Sequence, residues 1–198
     1  MISYLVKTFF TKSLYFVKYL INFAVPNGIK LVRFRYDWQS MPSINQKLVI
    51  QGKGVIVLGK DCVFGYKLGG RYLLGYCELQ PRYNDSKIIF GSRVSVNNNL
   101  FVCAANNIEI GDETLIGQNV TIFDHDGHGI HFSNRRSIGD IGIVRVGKNV
   151  WIGNNVIILK NSIIGDNTII AAGAVVAGTF PPNVIIGGVP ARVIKEIE

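Results

Sequence analysis

VGKNVWIGNNVIILKNSIIGDNTIIAAGAVV, residues 146–176, returns an aliphatic residue at every sixth position: Val146, Ile152, Ile158, Ile164, Ile170 and Val176. Asparagine keeps the same interval at Asn149, Asn155, Asn161 and Asn167. A helix repeats near 3.6 residues and a half-buried strand near 2, so a strict six needs a supersecondary unit that turns a corner once per repeat. Such units stack into a solenoid: the sixth-position aliphatics form columns in the core, and Asn or Gly at the corners takes positive φ at little cost. Small residues such as Thr168 and Ala174 fall near the corners, where little volume remains. Stacked coils make parallel ladders about 4.8 Å apart, and both ends of the stack need covering.

Away from this run the interval is interrupted. A polar stretch, Phe123 to Ile143, breaks it; before that it holds at Ile110-Gly111, Ile116-Gly117 and Ile122, and, after an offset of two residues, at Phe90, Val96 and Val102. It is lost through the Gly- and Tyr-rich stretch 66–86 and starts imperfectly at Leu58-Gly59 and Phe64-Gly65. Residues 29–54 carry a basic run, Lys30, Arg33 and Arg35, and read as a mixed segment with strand. Pro181-Pro182 is expected to stop the coil, and the tail Val189–Ile197 to cap it.

Residues 1–25 contain no acid and are expected to form an amphipathic helix. Ser3, Lys7, Thr11, Lys18 and Asn22 fall mostly on one stripe, opposite Tyr4, Leu5, Phe9, Leu14, Phe16, Leu20 and Phe23. Pro26-Asn27-Gly28 is a turn cluster that ends it. Lysines interrupt the apolar run too often for a transmembrane span, and no cleavage-site pattern marks a signal peptide. Docking on the folded body or a sister subunit, and lying on a membrane surface, are the two uses open to this segment.

Composition narrows the classes further. At 198 residues and 48% hydrophobic, the chain can bury one sizeable core. Its net charge of +8 is uneven: residues 1–50 hold seven Lys/Arg against the single acid Asp37, leaving 14 against 12 elsewhere. A near-neutral body argues against a nucleic-acid surface. Acidic lipid headgroups or anionic glycan carriers suit a basic end better. Cys62, Cys77 and Cys103 have no CxxC or zinc-type spacing, so buried thiols in a reducing cytoplasm are expected.

All three histidines lie in FDHDGHGIH, residues 123–131, within the stretch that interrupts the repeat. A loop on a rigid scaffold is where sites tend to be. A histidine there can act as general base, because the unperturbed imidazole titrates near working pH. His-x2-His-x2-His with aspartates is also a metal-binding pattern, and a solvated polar loop is the plain alternative.

The strings Asn149-Val150-Trp151-Ile152-Gly153, Ile164-Gly165-Asp166-Asn167, Ala172-Gly173-Ala174, Pro181-Pro182-Asn183 and Gly188 to Ile194 (GVPARVI) resemble the hexapeptide-repeat acyltransferase family. The likeness covers roughly residues 55–198 and is nearest the branch of maltose, galactoside and polysaccharide O-acetyltransferases. It implies an all-β fold, a left-handed parallel β-helix with three hexapeptides per coil; the helical segment 1–28, read from the residues themselves, would precede it. The β-helix domain would then span 29–198, with the His loop at 123–143 and a short helical cap at 181–198. Handedness comes from the family, since periodicity alone does not show it.

The resemblance also implies roles. Gly127-His128-Gly129-Ile130 resembles the family's Gly-His-Pro-Val/Leu signature, which makes His128 the expected base, with His125 in reserve and glycine where proline is usual. Asp124 or Asp126 could orient the imidazole. Asn97 and Asp126 are expected at the acceptor, and the backbone N–H of Asn154 at the oxyanion. Acetyl-CoA is the implied co-substrate, lying between subunits of a homotrimer along Trp151, Asn154, Ala172, Ala177 and Gly178, with Arg192 and Lys195 at its phosphates. The branch often has threonine at Ala177 and lysine at Gly178, so polar contacts there would differ. No metal is expected, since the β-helix carbonic anhydrases of this fold draw histidines from separate repeats.

The expected reaction is O-acetylation of a sugar hydroxyl through a ternary complex, in capsule or O-antigen synthesis, in the cytoplasm or at the inner membrane face through residues 1–25. N-acetylation of an amino sugar or nucleotide sugar is the nearest alternative; such enzymes usually carry a separate nucleotide-binding βαβ module. A non-catalytic β-helix scaffold is the alternative outside enzymes. The cysteines lie outside the His loop, which argues against a thiol nucleophile.

Overall fold

The computed structural model describes residues 13–14, 16–28 and 35–198. The described strands wind into three sheets, each a side of a prism, and successive coils pair in parallel. The first face stacks Arg35–Trp38, Val55–Leu58, Lys87–Phe90, Asn107–Ile110, Ile143–Val146, Ser162–Ile164 and Thr179–Phe180. The second stacks Ser43–Ile44, Val63–Phe64, Ser95–Val96, Leu115–Ile116, Trp151–Ile152, Ile169–Ile170 and Val184–Gly188, closed by Ala191–Glu196. The third stacks Leu48–Ile50, Cys77–Pro81, Phe101–Ala104, Thr121–Phe123, Ile157–Ile158 and Val175–Val176.

The period of six is now visible as registry. Val146, Ile152 and Ile158 sit on the first, second and third faces, and Ile164, Ile170 and Val176 lie directly above them. These columns run through the stack, for example Leu58, Phe90, Ile110, Val146, Ile164 and Phe180 on the first face. All are buried, each contributing about 1.5–3 kcal/mol by removal from water. Corner residues Asn149, Asn155, Asn161 and Asn167 have φ of 52–61°. Their side chains also pair between coils: the Asn149 amide donates to Asn167, which donates to Asn183, and the Asn99 amide donates to Asn119, which donates to Asn155.

Three expectations need correction. Residues 35–50 form a complete first coil, so the solenoid begins earlier than the imperfect start at Leu58 suggested. Pro181-Pro182 only occupies a corner: the chain continues onto the second face, where Ile186 pairs with Ile170. The cap at 181–198 is not helical but an antiparallel hairpin, Val184–Gly188 with Ala191–Glu196. β-Branched residues recur along both its arms, and the edge of a sheet is where such a strand finds its hydrogen bonds.

Residues 16–28 are helical, with a π-helical stretch at Leu20–Ala24 and α-helix at Val25–Asn27; residues 1–12 lie outside the described residues. The expected polar and apolar stripes are not those that the fold uses. Asn22, assigned to the polar side, donates to the carbonyls of Ile44 and Asn45. Phe23 is buried with its ring 5.3 Å from Tyr19 and 5.4 Å from Trp38, while Leu14, Phe16 and Leu20 are exposed. Asn27 completes the docking. Its Nδ2 donates to the Leu48 carbonyl at 2.7 Å, and its Oδ1 accepts from the Ile50 N–H at 2.7 Å. One side-chain amide thus takes the place of the peptide group that a preceding coil would have supplied.

Candidate functional site

The step from Asn107 to Ile143 on the first face is 36 residues, twice the 18 from Val144 to Ser162. The excess is the loop 124–142, extruded at the corner between the third and first faces. Its neck is paired like a hairpin: Gly142 N–H donates to Asp124 O, Asp126 N–H to Asp140 O, and Gly129 N–H to Ser137 O, at 2.7–2.9 Å. Lys160, from the next coil, bridges the two arms through Asp126 (2.5 Å) and Asp140 (3.4 Å). The hydrogen bond to Asp126 raises the lysine pKa, so the clamp stays charged.

Asp124 roots this loop. It is fully buried, accepts the backbone N–H groups of Ala105 and Asn106 at 2.7 and 2.8 Å, and lies 2.9 Å from His125 Nδ1. On the other side of the ring, Arg82 Nη1 is 3.1 Å from His125 Nε2. A guanidinium can only donate, so Nε2 accepts and Nδ1–H points at Asp124. His125 is therefore buried with both nitrogens engaged.

His128 is exposed, and its Nδ1 lies 2.9 Å from the Arg135 carbonyl. A carbonyl only accepts, so Nδ1 carries a proton, and in the neutral ring Nε2 keeps its lone pair. The orienting group is a backbone oxygen, not Asp124 or Asp126: Asp124 serves His125, and Asp126, expected at the acceptor, is paired with Lys160. His131 pairs with Ser133 and packs on Phe132. The three imidazoles thus have three separate sets of partners, and among the described residues no group of three His, Cys, Asp or Glu is arranged to hold a metal ion.

A second cluster lies on another part of the prism. Asn97, Trp151 and Asn154 line a groove of about 490 Å³ along the second face, together with Tyr66, Ser95 and Leu115. The corner between the second and third faces stacks Tyr66, Asn98, Gln118, Asn154 and Ala172 in successive coils. Tyr66 N–H donates to Asn98 Oδ1 at 2.9 Å, and Gln118 N–H to Asn154 Oδ1 at 2.8 Å. Asn98 turns its own N–H to Asn97 Oδ1 at 2.8 Å, and above Asn154 the next coil offers Ala172, which has no side-chain acceptor. Among the described residues no acceptor is recorded for the Asn154 N–H.

The expected residues therefore fall in two groups within one chain. Asn97, Trp151, Asn154 and Ala172 share the second face and its far corner. His125, His128, Asp126, Ala177 and Gly178 share the corner between the third and first faces, with the third face between the groups. Arg192 and Lys195 are exposed on the closing hairpin, and Lys195 pairs with Ile185 on the second face. Arg82, Lys160 and Gln118 had no sequence signal: each is marked only by a partner in another coil.

The thiols take no part. All three are buried, and burial pushes Cys77 and Cys103 up to about 11 and raises Cys62. They are protonated at neutral pH and poor nucleophiles.

Residues 143–178 match the family described as Bacterial transferase hexapeptide (six repeats). Over 114 residues the chain is 41% identical to galactoside O-acetyltransferase of Escherichia coli K12, covering 57% of this chain and 55% of that one. A Saccharomyces cerevisiae protein named as an acetyltransferase is 38% identical over 135 residues, 64% of this chain and 68% of its own. A solved galactoside acetyltransferase in complex with coenzyme A superposes with a TM-score of 0.52 at 26% identity, over 91% of this chain and 77% of that one. The chain thus spans little more than half the length of the galactoside enzyme in sequence. The coils are those of a left-handed parallel β-helix, and the chain belongs to the bacterial transferase hexapeptide family.

Proposed function

We propose that the protein is an acetyl-CoA-dependent O-acetyltransferase acting on a sugar hydroxyl. The observation that carries this is His128: an exposed imidazole whose Nδ1–H is fixed on the Arg135 carbonyl, leaving Nε2 to accept a proton. His128 Nε2 takes the proton of the acceptor hydroxyl as its oxygen attacks the thioester carbonyl. The oxyanion is held by the Asn154 N–H, a kind of contact that contributes about 10²–10³ in rate. Collapse expels the CoA thiolate, which takes the proton back from His128. Atoms balance without a covalent enzyme intermediate.

The second face fits the co-substrate. From Asn97 through Trp151 to Lys195 runs a track of five inter-strand steps, about 24 Å at the usual spacing. It passes the small side chain of Ala172 and ends at the cations Arg192 and Lys195, suited to phosphates. Ala177 and Gly178 offer room at the other corner, where a Cβ added at Gly178 would meet nothing within 4 Å. The separation of His128 from Asn154 within one chain favours a homotrimer in which a neighbour's loop 124–142 meets this chain's groove. The galactoside relative supports a carbohydrate acceptor; the likeness to polysaccharide O-acetyltransferases supports capsule or O-antigen. Thiol release from acetyl-CoA, measured against galactosides, maltose, amino sugars and capsular polysaccharide with the mass in solution, tests this. Transfer to nitrogen alone, or a monomer of full activity, would overturn it.

Peripheral membrane contact at the cytoplasmic face belongs to the same reading. Among the described residues no helix is long and apolar enough to cross a membrane. With Tyr19, Asn22, Phe23 and Asn27 turned to the first coil, Leu14, Val17, Ile21 and Val25 remain exposed on the helix, beside Lys18. That pattern suits an anionic lipid surface. Co-sedimentation with anionic vesicles should fall when residues 1–25 are removed; unchanged partitioning would refute it.

A further inference from the structure

We propose that Tyr66, which opens the segment 66–76, is the acceptor-side wall of the second-face groove, and that its ring stacks on an uncharged pyranose held there. The inference rests on the acetyltransferase reading and specifies its acceptor.

The segment leaves the coil where the groove begins. Phe64 is the last second-face residue of its coil, Gly65 turns the corner at φ 90°, and Tyr66 opens the segment. Its root is rigid. Asn98, without solvent exposure, accepts the Tyr66 N–H and donates to the carbonyls of Tyr66 and Gly70 at 2.9 and 3.0 Å. Gln118 accepts the Gly70 N–H at 3.2 Å and gives its own N–H to Asn154. The segment is thus tied by hydrogen bonds to the residue proposed for the oxyanion. It also lies directly on Asn97, since a Cβ added at Gly69 would stand 2.2 Å from Asn97 Oδ1. Gly69 lets the backbone cover that amide.

The chemistry of the groove points to the ligand. Its two exposed aromatics, Tyr66 at 54% and Trp151 at 57%, are separated by three inter-strand steps, about 14 Å. Between them lie Asn97, Ser95 and the apolar Leu115. Amide and hydroxyl groups both donate and accept, as sugar hydroxyls require, and an aromatic face offers an apolar platform to the C–H face of a pyranose. No charged side chain lines the groove. A sialoside carboxylate or nucleotide diphosphate would find no counter-charge there, whereas a neutral hexoside needs none.

The test is steady-state kinetics of wild type, Tyr66→Ala and Tyr66→Phe with acetyl-CoA and a panel of methyl galactoside, maltose, a polysialic acid and a nucleotide-linked amino sugar. The neutral hexosides should be acetylated. Tyr66→Ala should raise their KM about tenfold, the effect of losing an aromatic stack, with the KM for acetyl-CoA and thermal melting unchanged. Tyr66→Phe should restore the wild-type value, because the ring and not the hydroxyl is used. Transfer to neutral sugars with an indifferent Tyr66→Ala, or preference for the anionic acceptors, overturns this proposal and leaves the acetyltransferase reading standing. Wild type that acetylates no saccharide overturns both.

Discussion

Replacing His128 with alanine is expected to lower kcat for acetyl transfer by about 10²–10⁴-fold, the contribution of a positioned general base, with little change in the KM for acetyl-CoA. The fold should be indifferent to this change. His128 is exposed and its ring is held by a single hydrogen bond, to the Arg135 carbonyl, so the melting temperature should stay near that of wild type. His125 is the informative contrast. Alanine there would leave Asp124 and Arg82 without the ring that joins them, and the variant should melt earlier. Initial rates of thiol release and melting curves on both variants separate chemistry from architecture. Full turnover in His128→Ala with a stable, inactive His125→Ala would assign the base to His125 instead.

Replacing Asp124 with alanine should destabilise the protein by about 3–5 kcal/mol, the range seen when one partner of a buried hydrogen-bonded pair is removed. The carboxylate has no solvent exposure and serves three donors: two backbone N–H groups of the coil below and the His125 ring. Alanine leaves the Ala105 N–H and the His125 ring without this acceptor in a buried site, and takes away the anchor of the exposed Asn106. The damage should spread to the loop, because Asp124 also supplies the carbonyl that takes the Gly142 N–H at the neck. Urea unfolding followed by far-UV circular dichroism measures the loss. Asparagine at this position keeps one acceptor oxygen but turns the other into a donor facing the Asn106 N–H, so Asp124→Asn should fall between wild type and alanine. A variant Asp124→Ala as stable as wild type would show that the loop is anchored elsewhere.

The columns of the core were legible because burial imposes the interval directly. Every sixth-position residue of Val146 to Val176 points inward, and nothing polar can replace it without cost. The first coil falls inside the expected domain 29–198, but its repeat went unrecognised for an instructive reason. Trp38, Ile44 and Ile50 keep the interval of six, but Met41, Lys47 and Lys53 stand where the later run has an asparagine three residues after each core residue. The π-helical turn at Leu20–Ala24 and the docking of Asn22 escaped stripe analysis, which assumes a regular helix against an apolar surface; the surface met here is a sheet end rich in unpaired peptide groups. The helical reading of the tail failed because the open second-face edge beside Val184–Gly188 attracts a strand. At the site, the cluster of histidines was visible as composition, but the sorting among them was not. His125 and His128 differ through Arg82, 43 residues from His125 in sequence, and through a main-chain carbonyl, which carries no side-chain signature.

A parallel solenoid has two open ends, and each is a template on which another copy could continue the ladder. The Asn27 amide occupies one end of the third face, and the antiparallel Ala191–Glu196 strand covers the other end of the second. At these two edges an incoming coil would meet hydrogen-bonding groups already satisfied, which discourages head-to-tail growth there. The homotrimer proposed above associates laterally instead, and a lateral ring closes on itself after a fixed number of copies. In the proposed homotrimer, one asparagine in a short helix thus bears on the shape of the whole assembly: a finite ring of parallel prisms in place of an endless rod.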